Sequence, residues 1–175
     1  MNSKYSKKFV TLHWVHGAII AFLLIGASLK LPDLEIKMSL EQLSQFKMHI
    51  IVGVMATTIS VVRFFWARKE KRKIEPLYNS GIKKVLANAN HVLIYIVLII
   101  VGISGILTAI NANIGEVAIF GKDISVYSLT ENAELFGQIH EISTTALIVL
   151  IVMHIVGVIG YRITTKKCAV ARMKF

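Results

Sequence analysis

Four long apolar stretches constrain the fold of this chain more than any other feature. They cover residues 9–29, 48–66, 85–110 and 137–163 of a 175-residue chain that is 55% hydrophobic. A helix of about 20 apolar residues spans a hydrocarbon core roughly 30 Å thick. The sequence therefore predicts an all-α membrane protein, a four-transmembrane-helix bundle forming one domain over residues 1–175. A cleaved signal peptide is the alternative for the first stretch, but His13 and His16 at its start argue against cleavage.

The basic residues set the expected orientation of the bundle. The N-terminus, the segment between the second and third stretches, and the C-terminal tail hold 16 of the 20 Lys and Arg residues when Arg63 and Arg162 at the adjoining ends of the stretches are included. Because cytoplasmic loops are enriched in Lys and Arg, both termini are predicted to be cytoplasmic. The net charge of +10 lies at helix ends rather than along one soluble face. This distribution indicates membrane lipid as a partner and argues against nucleic acid.

The histidines fall into two levels of the predicted bundle. His140 and His154 both lie in the last stretch. Along a helix they are roughly 21 Å apart, and the rotation between them is about 40° short of four full turns, so their side chains leave nearly the same face. In the predicted orientation His13 lies near the cytoplasmic side and His49 near the outer side. The sequence therefore predicts an inner pair, His13 with His154, and an outer pair, His49 with His140.

Such pairs suit haem, because the iron takes one axial imidazole from each side of the ring. With both axial positions filled, the iron passes electrons without activating a substrate. A glycine lies one turn from each candidate ligand, which indicates clearance for a flat group: Gly17, Gly53, Gly137 and Gly157. The single cysteine, Cys168, excludes covalent c-type attachment and a disulfide within the chain.

Two other interpretations of the histidines stay open. Structural zinc requires four ligands around one centre, whereas these pairs lie about 20 Å apart. Histidines can also serve packing or a proton relay, although neither role requires paired depths.

Three further residues are weaker candidates. His16 lies one turn from His13 and could replace it as a ligand. His91 falls at the inner depth and could bind a propionate or a quinone head group. A satisfied polar contact is the plainer role for both histidines. Arg63 could neutralise haem propionates, or it could snorkel to lipid head groups.

The order and spacing of several motifs resemble the bacterial cytochrome b561 proteins. The matching segments are Lys4-Tyr5-Ser6 with Leu12-His13-Trp14, Met48-His49-Ile50 with Gly53, Val61-Val62-Arg63, Asn90 to Tyr95, Ile139-His140-Glu141 with His154, and Ala171-Arg172-Met173. The resemblance implies a multi-pass protein of the bacterial inner membrane with two b-type haems, each held by two histidines. It also implies electron exchange with a quinone, ubiquinone or menaquinone. One branch of the family is a superoxide oxidase that passes electrons from periplasmic superoxide to ubiquinone.

The sequence departs from that branch in two ways. Tyr161 stands where the branch carries a further histidine. The outer segments hold four lysines against eight acids, which does not favour steering of the superoxide anion, although Lys47 beside His49 gives a local positive charge. A cationic donor such as a c-type cytochrome suits an acidic face better.

The functional hypothesis is a di-haem b protein passing electrons between a periplasmic-side donor and the quinone pool. Superoxide:ubiquinone oxidoreductase activity is one form of that hypothesis. The alternatives are a cytochrome b anchor subunit of a periplasmic dehydrogenase or hydrogenase, and a non-redox four-helix membrane protein.

Overall fold

The computed structural model describes residues 4–78 and 81–174, which are mostly helical and contain no β-strand. Five α-helices follow one another: α1 (Lys7–Lys30), α2 (Leu40–Lys71), α3 (Ile82–Asn111), α4 (Ile114–Ala118) and α5 (Glu131–Thr165). Two short 3-10 helices cover Ile124–Val126 and Ala169–Met173. Over the described ranges, α1, α2, α3 and α5 are long and apolar enough to cross a membrane. The predicted all-α fold with four spanning helices is thus confirmed.

The spanning helices extend beyond the apolar stretches. α2 begins at Leu40 because Ser39 and Gln42 form a capping box, with N–H···O distances of 2.7 and 3.2 Å. α5 begins at Glu131 because the Thr130 hydroxyl accepts the backbone N–H of Ala133 at 3.2 Å. Residues 40–47 and 131–136, which precede the second and fourth apolar stretches, are therefore helical as well. Hydropathy marks the part of a helix that lies in lipid, not where the helix ends.

The spanning helices pack in sequence around the bundle. α1 packs on α2, α2 on α3 and α3 on α5, whereas the backbone of α5 makes few close approaches to α1 or α2. A Cβ atom at Gly102 of α3 would overlap the Thr57 side chain of α2. That glycine therefore permits the close contact between α2 and α3. The looser seam between α5 and the first two helices is the space that the predicted histidine pairs would bridge.

The N-terminal segment and the C-terminal tail meet at one end of the bundle. The backbone N–H of Tyr5 donates to the carbonyl of Arg172 at 3.3 Å, and the indole N–H of Trp14 donates to the carbonyl of Met173 at 2.9 Å. Arg172 in turn donates to the carbonyl of Glu75 in the α2–α3 connection at 2.5 Å. The three basic segments therefore lie together, as an even number of spans requires. This end is called the inner end below; its cytoplasmic location stays a prediction.

The opposite, outer end is closed by an apolar cluster beneath the α3–α5 connection. The cluster contains Met38, Leu43, Ala112, Ile114, Val117 and Ala133. The Tyr127 hydroxyl donates to the carbonyl of Glu35 at 2.5 Å, which ties the α1–α2 connection to this cap. Burial raises the pKa of Tyr127 above its usual value, and the nearby negative charge of Glu35 acts in the same direction. The hydroxyl therefore stays protonated at neutral pH and keeps this bond.

The orientation can be tested with the native cysteine. Cys168 is exposed on the C-terminal tail, so a membrane-impermeant maleimide should label it in inverted membrane vesicles and leave it unlabelled in intact spheroplasts. Ser125 is exposed at the outer end. The double variant Cys168→Ser with Ser125→Cys should therefore show the reverse pattern. Labelling of native Cys168 in intact spheroplasts would contradict cytoplasmic termini.

Candidate haem sites

The outer pair joins α2 to α5 across the looser seam. The ring centroids of His49 and His140 lie 6.0 Å apart with their planes at 83°. Two metal–nitrogen bonds of about 2 Å each require ring nitrogens about 4 Å apart. A centroid separation of 6.0 Å is compatible with that spacing. The structure thus places these two rings where one metal ion could contact both.

A backbone carbonyl of α3 fixes the protonation of His140. Its Nδ1 lies 2.9 Å from the carbonyl oxygen of Val101. Because a carbonyl only accepts hydrogen bonds, Nδ1 carries the proton and Nε2 keeps a free lone pair. Metal-binding histidines commonly donate their second N–H in this manner. The Val101 contact was missed by sequence reasoning, since any residue type supplies a carbonyl.

Gly105 makes room for the His140 ring. A Cβ atom at Gly105 would lie 2.9 Å from both Cε1 and Nδ1 of His140. Any larger residue would have to displace the imidazole from its carbonyl partner. Gly105 was likewise not singled out from the sequence, because it lies on α3, which carries no member of either predicted pair.

The inner end holds a buried network centred on Arg63. Its Nη2 lies 2.8 Å from Nδ1 of His13, and its Nη1 lies 2.9 Å from Nδ1 of His16. Nε2 of His16 lies 3.2 Å from the carbonyl oxygen of Ala56 and 3.1 Å from the Ser60 hydroxyl. His16 therefore donates from Nε2 and accepts at Nδ1 from Arg63. With both ring nitrogens engaged and only 1% of its surface exposed, His16 is placed as a polar packing residue.

His13 is held in the opposite protonation state to His140. Because the Arg63 guanidinium can only donate, Nδ1 of His13 accepts and its proton lies on Nε2. Iron binding at Nε2 would require that proton to move to Nδ1. The bond from Arg63 would then break, which frees guanidinium N–H groups for another acceptor.

His154 lies among the inner histidines. The ring in contact with it is that of His91, with centroids 4.9 Å apart and planes at 86°. His91 is anchored through Nδ1, which lies 2.6 Å from the carbonyl oxygen of Ala87. His13 lies at the same end of the bundle, bound to Arg63. The inner end thus contains His13, His91 and His154, and the structure does not itself choose the ligands among them.

Arg63 points into the bundle rather than towards lipid head groups. It is 8% exposed, and its guanidinium carbon lies 5.8 Å from the ring centroids of Phe9 and of Tyr95. Its Nε has no hydrogen-bond partner among the residues described. The snorkelling alternative therefore does not match this geometry. A buried cation with an unused donor suits a carboxylate such as a propionate.

The glycine positions divide into two groups. A Cβ atom added at Gly17, Gly53 or Gly157 would meet nothing within 4 Å. At Gly137 it would meet Leu34 at 3.7 Å and Thr108 at 3.8 Å. Three of the four expected glycines thus border open space, whereas Gly137 serves helix packing at the outer cap.

The donor set fits haem better than it fits a structural zinc ion. Each level offers imidazole nitrogens from different helices, and the outer pair has a compatible ring separation and a free Nε2 on His140. Within residues 4–78 and 81–174, no three His, Cys, Asp or Glu side chains converge on one point. The four-ligand zinc alternative therefore gains no support from the described side chains.

Comparison with known proteins agrees with this chemistry. A family model described as prokaryotic cytochrome b561 matches residues 4–175. The search of curated proteins and the search of solved structures gave no match. The matched region includes all four spanning helices and every histidine discussed above. The chain therefore belongs to the prokaryotic cytochrome b561 family, membrane proteins that transfer electrons through haem b.

Proposed function

We propose that this protein binds two haems b in the bacterial inner membrane and passes electrons between a periplasmic-side donor and the quinone pool. The observation that carries the proposal is the outer pair, in which two imidazoles from different helices lie 6.0 Å apart. A haem held by two imidazoles supplies one-electron exchange between Fe(III) and Fe(II) and leaves no open coordination position.

In the proposed outer site, His49 and His140 would hold the haem iron. Val101 holds the proton of His140 on Nδ1, so Nε2 is already in the form that binds iron. Open space at Gly53 borders the same level on α2. The protein thus orients one ligand before any cofactor binds, which reduces the reorganisation needed on binding.

In the proposed inner site, His13 and His154 are the ligands. His91 packs against His154 and restricts rotation of its ring. When the His13 proton moves to Nδ1, Arg63 loses that partner but keeps its bond to His16. The freed N–H groups of Arg63 can then hold a propionate. His16 helps to position Arg63 through its bond to the guanidinium, and it is not proposed as a ligand.

The quinone is proposed to react at the inner level, within electron-transfer reach of the inner haem. His91 is exposed on the bundle surface at that level, where a lipid-soluble quinone has access. Its Nδ1 is bound to the Ala87 carbonyl, so its Nε2 is the nitrogen that can accept a hydrogen bond from a quinol. Ubiquinone and menaquinone both fit this interaction.

The acidic outer surface favours a cationic donor. Seven of the eight outer acids are exposed: Asp33, Glu35, Glu41, Asp123, Glu131, Glu134 and Glu141. The remaining acid, Glu116, is paired with Lys122 at 2.6 Å. The charges of these two residues therefore largely cancel in the field of the outer surface. A basic c-type cytochrome therefore suits this face better than superoxide does.

Haem content gives the direct test of the proposed sites. Purified protein should contain two haems per chain by the pyridine haemochrome assay, with a low-spin b-type spectrum. His49→Ala or His140→Ala should remove one haem, and His13→Ala or His154→Ala the other, while His91→Ala should keep both. One haem in the unaltered protein, or loss of haem in His91→Ala, would contradict the pairing. Co-purification of a larger periplasmic dehydrogenase would instead favour the anchor-subunit alternative.

Gly105→Ala tests whether the Val101 carbonyl positions His140. The added methyl group overlaps the imidazole, so we expect loss of the outer haem while the inner haem is kept. Gly26→Ala is the matched control, because a Cβ atom at Gly26 meets nothing within 4 Å. Equal haem content in both variants, at equal thermal stability, would show that the Val101 contact does not prepare the site.

Salt dependence distinguishes the two classes of donor. Electrostatic attraction is screened over about 10 Å at 0.1 M ionic strength. Reduction of the protein by a basic c-type cytochrome should therefore slow by at least roughly tenfold between 10 and 300 mM salt. Reduction by superoxide should be slow and should not decrease with salt. Salt-independent reduction by the cytochrome would contradict steering by the acidic face.

A further inference from the structure

The inner and outer levels differ in the charge beside their histidines. At the outer level, the group bound to His140 is the Val101 carbonyl, a neutral acceptor with a partly negative oxygen. At the inner level, the group bound to His13 and His16 is the Arg63 guanidinium, a permanent cation. The two levels use the same imidazole chemistry in opposite electrostatic surroundings.

The Arg63 charge is not neutralised by a described carboxylate. The nearest acid on the same helix, Glu70, lies two turns further on and is 7% exposed. Its carboxylate accepts bonds from the Ser6 hydroxyl at 3.1 Å and the Trp66 indole at 3.3 Å. No ion pair to Arg63 occurs within the described parts of the chain. The positive charge therefore acts on the inner site through a medium of low dielectric constant.

The charged side chains near the outer pair are placed differently. Lys47 on α2 and Glu141 on α5 flank the two histidines in sequence, and both are exposed. They have opposite signs and face solvent or head groups, where charge is strongly screened. The outer level therefore lacks a buried charge comparable to Arg63 among the side chains described.

We propose that Arg63 raises the reduction potential of the inner haem above that of the outer haem, so that electrons settle at the quinone side of the protein. A nearby cation stabilises Fe(II) relative to Fe(III), because the reduced haem carries one positive charge fewer. When an electron passes between the two haems, one iron is oxidised and the other is reduced. The donor supplies that electron and the quinone accepts it. This inference rests on the proposed function, since it requires a haem at each level.

A propionate bound to Arg63 would not reverse the effect. Both haems would carry propionates, and among the described side chains a buried guanidinium occurs at the inner level, at Arg63. Removal of Arg63 therefore lowers the inner potential whether its partner is an imidazole or a carboxylate. In this role Arg63 is a positioning and tuning residue, not a ligand.

The test is a potentiometric titration of purified protein, followed through the visible absorption of the reduced haems. Arg63→Gln should lower one of the two midpoint potentials, equivalent to on the order of a tenfold drop in that haem's reduced-to-oxidised ratio at fixed applied potential. Arg63→Lys should keep both potentials near their original values. The same pair of variants made in His140→Ala, which keeps only the inner haem, should show that the inner potential is the one that moves.

A second pair of variants leaves Arg63 in place. Ser60 contacts His16 on the side opposite Arg63, so Ser60→Asp sets a negative charge one imidazole away from the guanidinium. We expect Ser60→Asp to lower the inner potential and Ser60→Asn, its uncharged counterpart, to leave it unchanged. This comparison measures how strongly a charge at this position acts on the inner haem, and it remains possible if Arg63→Gln loses that haem.

The outcomes separate the two proposals. Two haems whose potentials move in neither Arg63→Gln nor Ser60→Asp, or move equally at both levels, would overturn the role of Arg63 alone. An Arg63→Lys variant with a potential as low as that of Arg63→Gln would do the same. Fewer than two haems in the unaltered protein would overturn the proposed function, and this inference with it.

Discussion

The exclusion of water from the hydrocarbon core decides how this protein holds its imidazoles. A polar group there needs a partner from the chain, because solvent cannot supply one. Three histidines obtain that partner from a backbone carbonyl: His16 from Ala56, His91 from Ala87 and His140 from Val101. Each carbonyl fixes which ring nitrogen carries the proton. The membrane thus imposes the hydrogen bonds, and the hydrogen bonds determine which nitrogens remain available to a metal.

Helix packing supports the proposed ligands on one side and leaves space on the other. α3 carries no proposed axial ligand, yet its Val101 carbonyl and Gly105 hold the His140 ring in place. α5 packs closely on α3 and only loosely on α1 and α2. A tightly packed pair of helices therefore presents histidines across a seam that the backbone leaves open. Rigid support on one side and space on the other are what a flat, buried group requires.

Much of this arrangement could be predicted from the sequence, because the membrane reduces the problem to depth and direction. Helix rise and the Lys and Arg distribution placed His49 with His140, and the structure brings their rings to 6.0 Å. The contact of His91 with His154 could not be predicted, since rotation of α3 about its axis depends on packing at Gly102 and Thr57. The inward direction of the Arg63 side chain could not be predicted from the sequence either. A long side chain near a helix end can reach head groups or the interior, and the choice depends on neighbours such as His16 and Ser60.

The chain order has a consequence for biosynthesis. α5 is made after α1, α2 and α3, and it contributes one histidine to each proposed pair, His140 and His154. The tail that follows it binds the N-terminal segment through Arg172 and Met173. Neither proposed pair can therefore be completed before α5 has been made. A protein truncated before α5 would lack one proposed ligand at each level and could complete neither proposed site.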